Sequence, residues 1–394
     1  MGVLRMKQVN SILSTYTADV SGVCSALYEL GGMTVMHDAS GCNSTYNTHD
    51  EPRWYSMPSM VYISALTEME AMLGDEDKLI RNVCRTAVQL QPRFIALCGT
   101  PIPMMMGTDF PGMARLIERR TGIPSFGFAT NGTHSYLSGA GMALAGVARR
   151  FCPENVRPAP LAGRPAVNLL GVTPLDFSVT GTVEALRDTL TENGFSVRSC
   201  WAMGDRWENL TAAGEAHVNL VVSAAGQPLA ELLQSRYGTP WVSGIPMGRA
   251  EELLAALDAA AQTGCCQSPM KGGRLAPAED APLIIGEAVW AASLRRALEQ
   301  RGLAARVLCP LEMDGGVLDG RDLRTGDETE IAAAAEKASL VIADPMYQYV
   351  LPPDKPFLRF PHEGYSGRIW RKEIPVFAGK AFDSWLDRQL AALI

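Results

Sequence analysis

The chain has 394 residues, of which 47% are hydrophobic and 20% charged, and its formal net charge is −7. This length suffices for two or three domains with a sizeable core. The acidic balance argues against a general nucleic-acid-binding protein, and no apolar run reaches the length of a membrane span. The N-terminal residues 1–20 lack the pattern of a signal peptide, so we expect a cytoplasmic protein.

The first predicted elements follow a strand–helix–strand pattern. A helix is predicted over 19–32, and the short apolar run 35–36 leads into a turn at 37–41 and then Cys42. A buried strand over 94–97 ends in Cys98 and Gly99, and 100–109 reads as a loop. The other elements are helices at 65–73, 75–90, 111–120 and 136–151 and a strand at 123–128. This order is typical of a parallel α/β unit.

The pattern restarts twice after proline- or glycine-containing linkers at 153–165 and 262–281. Strands are predicted at 167–172, 195–200, 218–223, 239–242, 283–286, 305–308, 340–343 and 357–359. Helices are predicted at 181–193, 228–236, 250–261, 287–301, 329–338 and 380–394. The sequence therefore predicts an α/β protein of three Rossmann-like modules with mainly parallel sheets, at 1–155, 160–265 and 280–394.

Nine cysteines, with no CxxC pair, exclude zinc ribbons and thioredoxin chemistry. Cys42 and Cys98 both follow predicted strands of the first module, where ligands of parallel sheets bind. The chemical interpretation is that both thiolates hold an iron–sulfur cluster; the alternative is two small buried side chains. A cluster needs about three or four protein ligands, so the site would be shared across a subunit interface.

Several motifs in order resemble the component 1 superfamily of nitrogenase. That group includes molybdenum–iron protein chains, cofactor-assembly scaffold chains and related tetrapyrrole reductases. The motifs are VMHDASGC (35–42), SALTEMEAMLGD (64–75), FIALCGT (94–100), GFATNGTHSYLSGAGMAL (127–144) and HVNLVVSAAGQPLAELLQSRYGTPWV (217–242). The resemblance implies the family's modular α/β fold and a cluster at a dimer interface.

A chain of this family binds its cluster through three cysteines. When these ligands are aligned with the present sequence, two of them match Cys42 and Cys98. The third aligned position is Thr17. Cys24 either replaces the missing ligand or is a buried helix residue, and the sequence leaves both open. The implied cofactor is a 4Fe–4S cluster or a larger one, with His37 supporting the Cys42 turn or tuning the cluster.

The family's second site holds a larger metal cofactor through one cysteine and one histidine. The cysteine position is Ser223 here, and the histidine matches His362 in FPHEGYSGR (360–368). Ser223 is a poor iron ligand, so a molybdenum cofactor held in the nitrogenase manner is not expected. A second metal cofactor near His362 is left open beside a plain role as a polar loop residue near a pocket. Arg53 is expected to be a solvated surface residue, and the alternative is that it pairs with an anionic cluster or substrate.

The expected function is that of a nitrogenase-like oxidoreductase subunit with an unknown substrate. The chain lacks a GxxxxGK[ST] phosphate loop. The resemblance therefore implies electrons from a separate ATP-dependent iron–sulfur reductase that docks on the first module. The chain would form a homodimer, or a heterodimer with a similar component 1 chain. The alternatives are a scaffold chain for assembly of a complex metal cofactor and a metal-free relative that kept only the fold.

Overall fold

Three β-sheets organise the protein. The computed structural model describes residues 10–41, 43, 46, 50–161 and 163–392. In these residues every pair of neighbouring strands is parallel. Parallel strands require crossover connections, and helices supply most of them here. The predicted α/β class with parallel sheets is confirmed.

The first sheet has the strand order β2-β1-β3-β4. Its strands are β1 (Met33–His37), β2 (Met60–Ile63), β3 (Ile95–Gly99) and β4 (Ser125–Phe128). Its helices are α1 (Asp19–Leu27), α2 (Glu68–Leu73), α3 (Asp77–Leu90), α4 (Pro101–Met106), α5 (Phe110–Thr121) and α6 (Tyr136–Phe151). Helices α1 and α6 cover one face of this sheet, and α3 and α5 cover the other. The central strands β1 and β3 are therefore buried on both faces.

Two glycines allow α1 and α6 to pack backbone against backbone. A Cβ atom on Gly22 would lie 1.9 Å from the carbonyl oxygen of Tyr136, and one on Gly139 would lie 1.8 Å from that of Asp19. Glycine is thus required by the close approach of the two helices. Close helix packing therefore accounts for Gly22 of α1 and Gly139 of α6.

The second sheet has the order β6-β5-β7-β8. Its strands are β5 (Ala166–Leu170), β6 (Ser196–Cys200), β7 (Val218–Val221) and β8 (Trp241–Ser243). Its helices are α7 (Pro174–Phe177), α8 (Thr182–Glu192), α9 (Trp207–Thr211), α10 (Gln227–Tyr237) and α11 (Glu251–Thr263). Helix α10 packs against α6, which joins the first and second units.

The third sheet has the order β11-β10-β9-β12-β13. Its strands are β9 (Leu283–Ile285), β10 (Arg306–Cys309), β11 (Leu323–Arg324), β12 (Val341–Ala343) and β13 (Phe357–Arg359). Its helices are α12 (Ala288–Glu299), α13 (Glu328–Lys337), α14 (Glu363–Ser366) and α15 (Gly379–Ala391). Helix α15 returns to pack against α8, and one continuous core runs through all three sheets.

Two local differences from the predicted elements concern the first unit. The segment predicted as a loop at 100–109 contains α4, because Pro101 occupies the first helical position, where proline is tolerated. Strand β2 was not predicted. Within the described ranges the structure contains no helix whose length and apolarity would let it cross a membrane.

Candidate functional site

The residues of interest lie at the carboxyl ends of strands in all three sheets. His37 is the last residue of β1, and Cys98 is the penultimate residue of β3. Ser223 follows β7 by two residues, and His362 follows β13 by three. Ligands of parallel α/β sheets bind at the carboxyl ends of the strands. The carboxyl-end edge of each sheet is therefore the candidate ligand-binding region.

Cys24 and Cys98 meet between α1 and the first sheet. Both side chains are fully buried in the same core, and Cys98 is close enough to raise the pKa of the Cys24 thiol. The thiol of Cys98 also lies 3.6 Å from the carbonyl oxygen of Val35. Cys42 lies outside the described residues, in the segment that directly follows Gly41. The structure thus brings together two of the three predicted cysteine ligands.

The surroundings of Cys24 favour the protonated thiol. Burial, followed by the neighbouring Cys98 and the carboxylate of Glu51, raises the pKa of Cys24 well above its ordinary value. Cysteine binds a metal as the thiolate, and this buried site disfavours that charged form. A bound cation would supply the positive charge that stabilises the thiolate. Two thiols alone would not complete the ligand set of a cluster, which needs about three or four protein ligands.

A buried ion pair borders this cysteine pair. Arg53 is only 3% exposed, and its guanidinium donates to Glu51 at 2.7 and 3.0 Å and to Glu29 at 2.8 Å. It also donates to the backbone oxygen of Ser25, the residue after Cys24. The expectation of a solvated surface arginine was therefore wrong. Arg53 fixes the segment after residue 49 against α1.

His37 points away from the cysteine pair. Its Nδ1 lies 2.8 Å from the hydroxyl of Ser64, and its ring packs edge-on against Phe110, on the α3–α5 face of the sheet. Burial lowers the pKa of His37. Asp38, which the sequence places in the turn at 37–41, contacts Asn43, because its carboxylate accepts a hydrogen bond of 2.6 Å from the side chain of Asn43.

His362 lies in a cage of aromatic rings. The ring centroids of Tyr365, Tyr16 and Trp290 are 5.5 to 5.9 Å from that of His362. Burial lowers the pKa of His362 to about 3, so the ring is neutral. Its Nδ1 accepts a hydrogen bond from the backbone of Gly364, which leaves the proton on Nε2. That Nε2 is buried without a partner among the described residues.

Ser223 belongs to a neighbouring hydrogen-bond cluster. Its hydroxyl donates to the carbonyl oxygen of Gly171 at 2.7 Å and adjoins Asp176. The carboxylate of Asp176 accepts from Tyr16 at 2.6 Å and from Thr173 at 2.5 Å. Burial raises the pKa of Asp176 to about 6.

The centre of the molecule is thus filled by side chains that bond to one another. In the described part of the chain, no group of three or more His, Cys, Asp or Glu side chains is arranged to hold a metal ion. Aromatic rings occupy the space beside His362, and Ser223 is committed to backbone and carboxylate partners. These residues do not fit a large metal cofactor held between Ser223 and His362.

The family model described as "Nitrogenase component 1 type Oxidoreductase" matches residues 22–280, more than half of the chain. The chain belongs to the nitrogenase component 1-type oxidoreductase family. The match includes the cysteine pair, Ser223 and the whole of the first two sheets. The predicted membership is confirmed.

Three curated relatives show how distant the similarity is. One chain of the light-independent protochlorophyllide reductase of Prosthecochloris aestuarii is 31% identical over 27% of this chain and 20% of its own length. The corresponding chain of Synechococcus sp. is 25% identical over 45% of this chain and 36% of its own length. The nitrogenase iron-molybdenum cofactor biosynthesis protein NifE of Klebsiella pneumoniae is 22% identical over 53% and 48%. The matches thus span less than half of each relative's length.

Solved structures share the complete fold. The structure described as "Nitrogenase Cp1 at pH 5" has a TM-score of 0.65 and 15% sequence identity, over 99% of this chain and 90% of its own. The pH 6.5 structure of the same protein also has a TM-score of 0.65, at 14% identity. The component 1 fold therefore extends through the third sheet, beyond the residues that the family model matches.

Proposed function

We propose that this chain is a subunit of a nitrogenase-like oxidoreductase that holds an iron–sulfur cluster at the edge of its first sheet. Cys98, Cys42 and Cys24 would be the ligands. The observation that carries the proposal is the convergence of Cys24 and Cys98 in one buried core between α1 and the first sheet. Membership of the oxidoreductase family and the relatives in protochlorophyllide reduction support it.

The roles of the chain's own groups follow from their surroundings. A cluster bound there would supply single electrons. Cys24 and Cys98 would orient it from a helix and a strand that the α1–α6 contact holds in place, and their burial excludes water. Arg53, Glu51 and Glu29 would fix the loop that covers the site. Three cysteine thiolates from this chain would leave a fourth ligand position on the cluster. A second copy of this chain, or a similar chain, would fill that position.

An exposed apolar surface supports docking of a partner on the first unit. Helices α2 and α4 contact each other and leave several large apolar side chains in solvent. These are Met69, Met72, Leu73, Ile102, Met104 and Met105. Exposed apolar patches mark interaction sites in soluble proteins. Helix α4 starts three residues after Cys98. We therefore propose that an ATP-dependent iron–sulfur reductase docks there and that the complex works in the cytoplasm.

Anaerobic purification tests the proposal. We expect a brown protein with iron and acid-labile sulfide, and Cys98→Ala and Cys42→Ala should each lose most of the iron. Cys309→Ala is the matched control, because Cys309 is equally buried and also ends a strand of a parallel sheet. Equal iron content in Cys98→Ala and Cys309→Ala would refute the proposal. Loss of iron in Cys24→Ala would establish Cys24 as the third ligand.

The second candidate is a scaffold for assembly of a metal cofactor. It is favoured by the similarity to NifE over 53% of this chain. The packed centre around His362 argues against it, because a large cofactor would have to displace several aromatic rings. Substrate-dependent reoxidation of a reduced cluster would favour the oxidoreductase, whereas release of an intact cofactor to another chain would favour the scaffold.

A further inference from the structure

A cleft of about 540 Å³ opens between the first and third units, away from the cysteine pair. Its walls are the loop after β4, the loop after β10 and the N-terminal segment 10–14. The loops after β10 and β12 leave the carboxyl ends of two strands of the third sheet, in which neighbouring strands are parallel. Leu311 from one loop and Tyr347 from the other both line the cleft, where ligands of open parallel sheets bind.

The floor of the cleft is formed by three tyrosine rings. Tyr365 packs edge-on against Tyr16 and Tyr347, with ring centroids 5.2 and 5.6 Å apart. The hydroxyl of Tyr16 is already committed to Asp176. The hydroxyl of Tyr365 is buried and has no partner in the described chain. Buried polar groups are normally paired, so this donor lacks an acceptor that the described residues do not supply.

The charged and titratable groups of the walls are the carboxylates of Glu312 and Glu328, the guanidinium of Arg324 and the imidazole of His134, which lies 3.6 Å from Glu312. Glu328 accepts hydrogen bonds from the backbone at Ser11 and Ile12, and Glu312 accepts two from Ser135. Arg324 donates only to a backbone oxygen, at 3.2 Å, and no described carboxylate pairs with it. An incoming anion would therefore meet an unpaired guanidinium.

We propose that this cleft binds a small organic carboxylate with a flat, unsaturated body. The carboxylate pairs with Arg324, the body lies on the tyrosine floor, and an acceptor atom of the ligand receives the hydrogen bond from Tyr365. A guanidinium–carboxylate pair and ring stacking are the interactions that these groups form best. The proposal does not depend on a cluster in the first unit.

Binding of 2-naphthoate to the full chain, followed by calorimetry or saturation-transfer NMR, tests this site. We expect saturable binding that Arg324→Ala weakens about tenfold, as loss of a charge-assisted hydrogen bond would. Tyr365→Phe, which removes only the hydroxyl, should weaken it by a smaller factor. The controls are Arg81→Ala and Tyr349→Phe, because both side chains are exposed and lie outside the cleft.

A neutral analogue separates the two interactions. 2-Naphthalenemethanol should bind less tightly than naphthoate, and Arg324→Ala should leave its affinity unchanged. Absence of saturable naphthoate binding would overturn the proposal. Equal naphthoate affinities for Arg324→Ala and Arg81→Ala would overturn it as well.

Discussion

Glu287 shows how the buried centre makes stability depend on pH. Its carboxylate accepts hydrogen bonds from the backbone at Trp290 and Ala224. Burial, and then the nearby Asp176, raise the pKa of Glu287 to about 8, above its ordinary 4.5. The folded state therefore binds this proton more tightly than the unfolded state. The resulting stabilisation is complete at low pH and is lost as pH rises through about 8.

We expect the free energy of unfolding to fall by about 1–2 kcal/mol between pH 6.5 and pH 8, and Glu287→Gln to flatten this decline. The low pKa of His362 acts in the opposite sense, but mainly below its ordinary 6.5, so it offsets only a small part of the decline in this window. Urea unfolding at several pH values measures the slope. The exposed Glu279→Gln is the control, and a wild-type slope in Glu287→Gln would contradict the assignment.

Single residues show where the sequence was informative about the site. Cys98 could be placed at a strand end because its strand is continuously apolar, which is typical of a buried parallel strand. The ion pair of Arg53 could not be predicted, because Glu29 lies 24 residues away in sequence and only the fold brings it close. The pairing of Cys24 with Cys98, separated by 74 positions, depends on the fold in the same way, and the sequence left it as one of two alternatives.

At the scale of elements, the contact between α1 and α6 positions Cys24. The expected effect of Gly139→Ala is destabilisation by about 1–3 kcal/mol, because the new methyl group would overlap the backbone of Asp19. Gly320→Ala is the control, since no atom lies within 4 Å of a Cβ at that position. Chemical denaturation compares the two, and equal stability would contradict the close helix contact.

Long elements with clear ends were predicted well, and short ones were not. Helix α6 begins at Tyr136 and ends at Phe151, as its apolar pattern and the proline after it indicate. Strand β2 has only four residues, MVYI, and so short an apolar run does not by itself distinguish a strand from other structure. Helix α4 was missed because two prolines suggested a loop. Local pattern therefore determines an element only when it is long enough to repeat.

The whole molecule should unfold as one unit, because a single core connects the three sheets. Helix α15 contributes to this connection, and its Phe382 is fully buried against Phe360 and Trp385. We expect Phe382→Ala to cost about 3–5 kcal/mol while calorimetry still shows one transition. Tyr349→Ala, at an exposed ring, should change stability by less than about 0.5 kcal/mol. Two separate transitions in the wild type would contradict a shared core.

Positions within a strand stabilise the fold, whereas positions just after a strand contribute polar groups to the centre of the molecule. Val218–Val221 of β7 are buried and hold the second sheet together, whereas Ser223, two residues later, takes part in the polar centre. A substitution at such a loop position changes which donors and acceptors are present but leaves the strand packing untouched. One scaffold can therefore acquire a new reactivity through a few replacements beyond its strands, without losing the ability to fold.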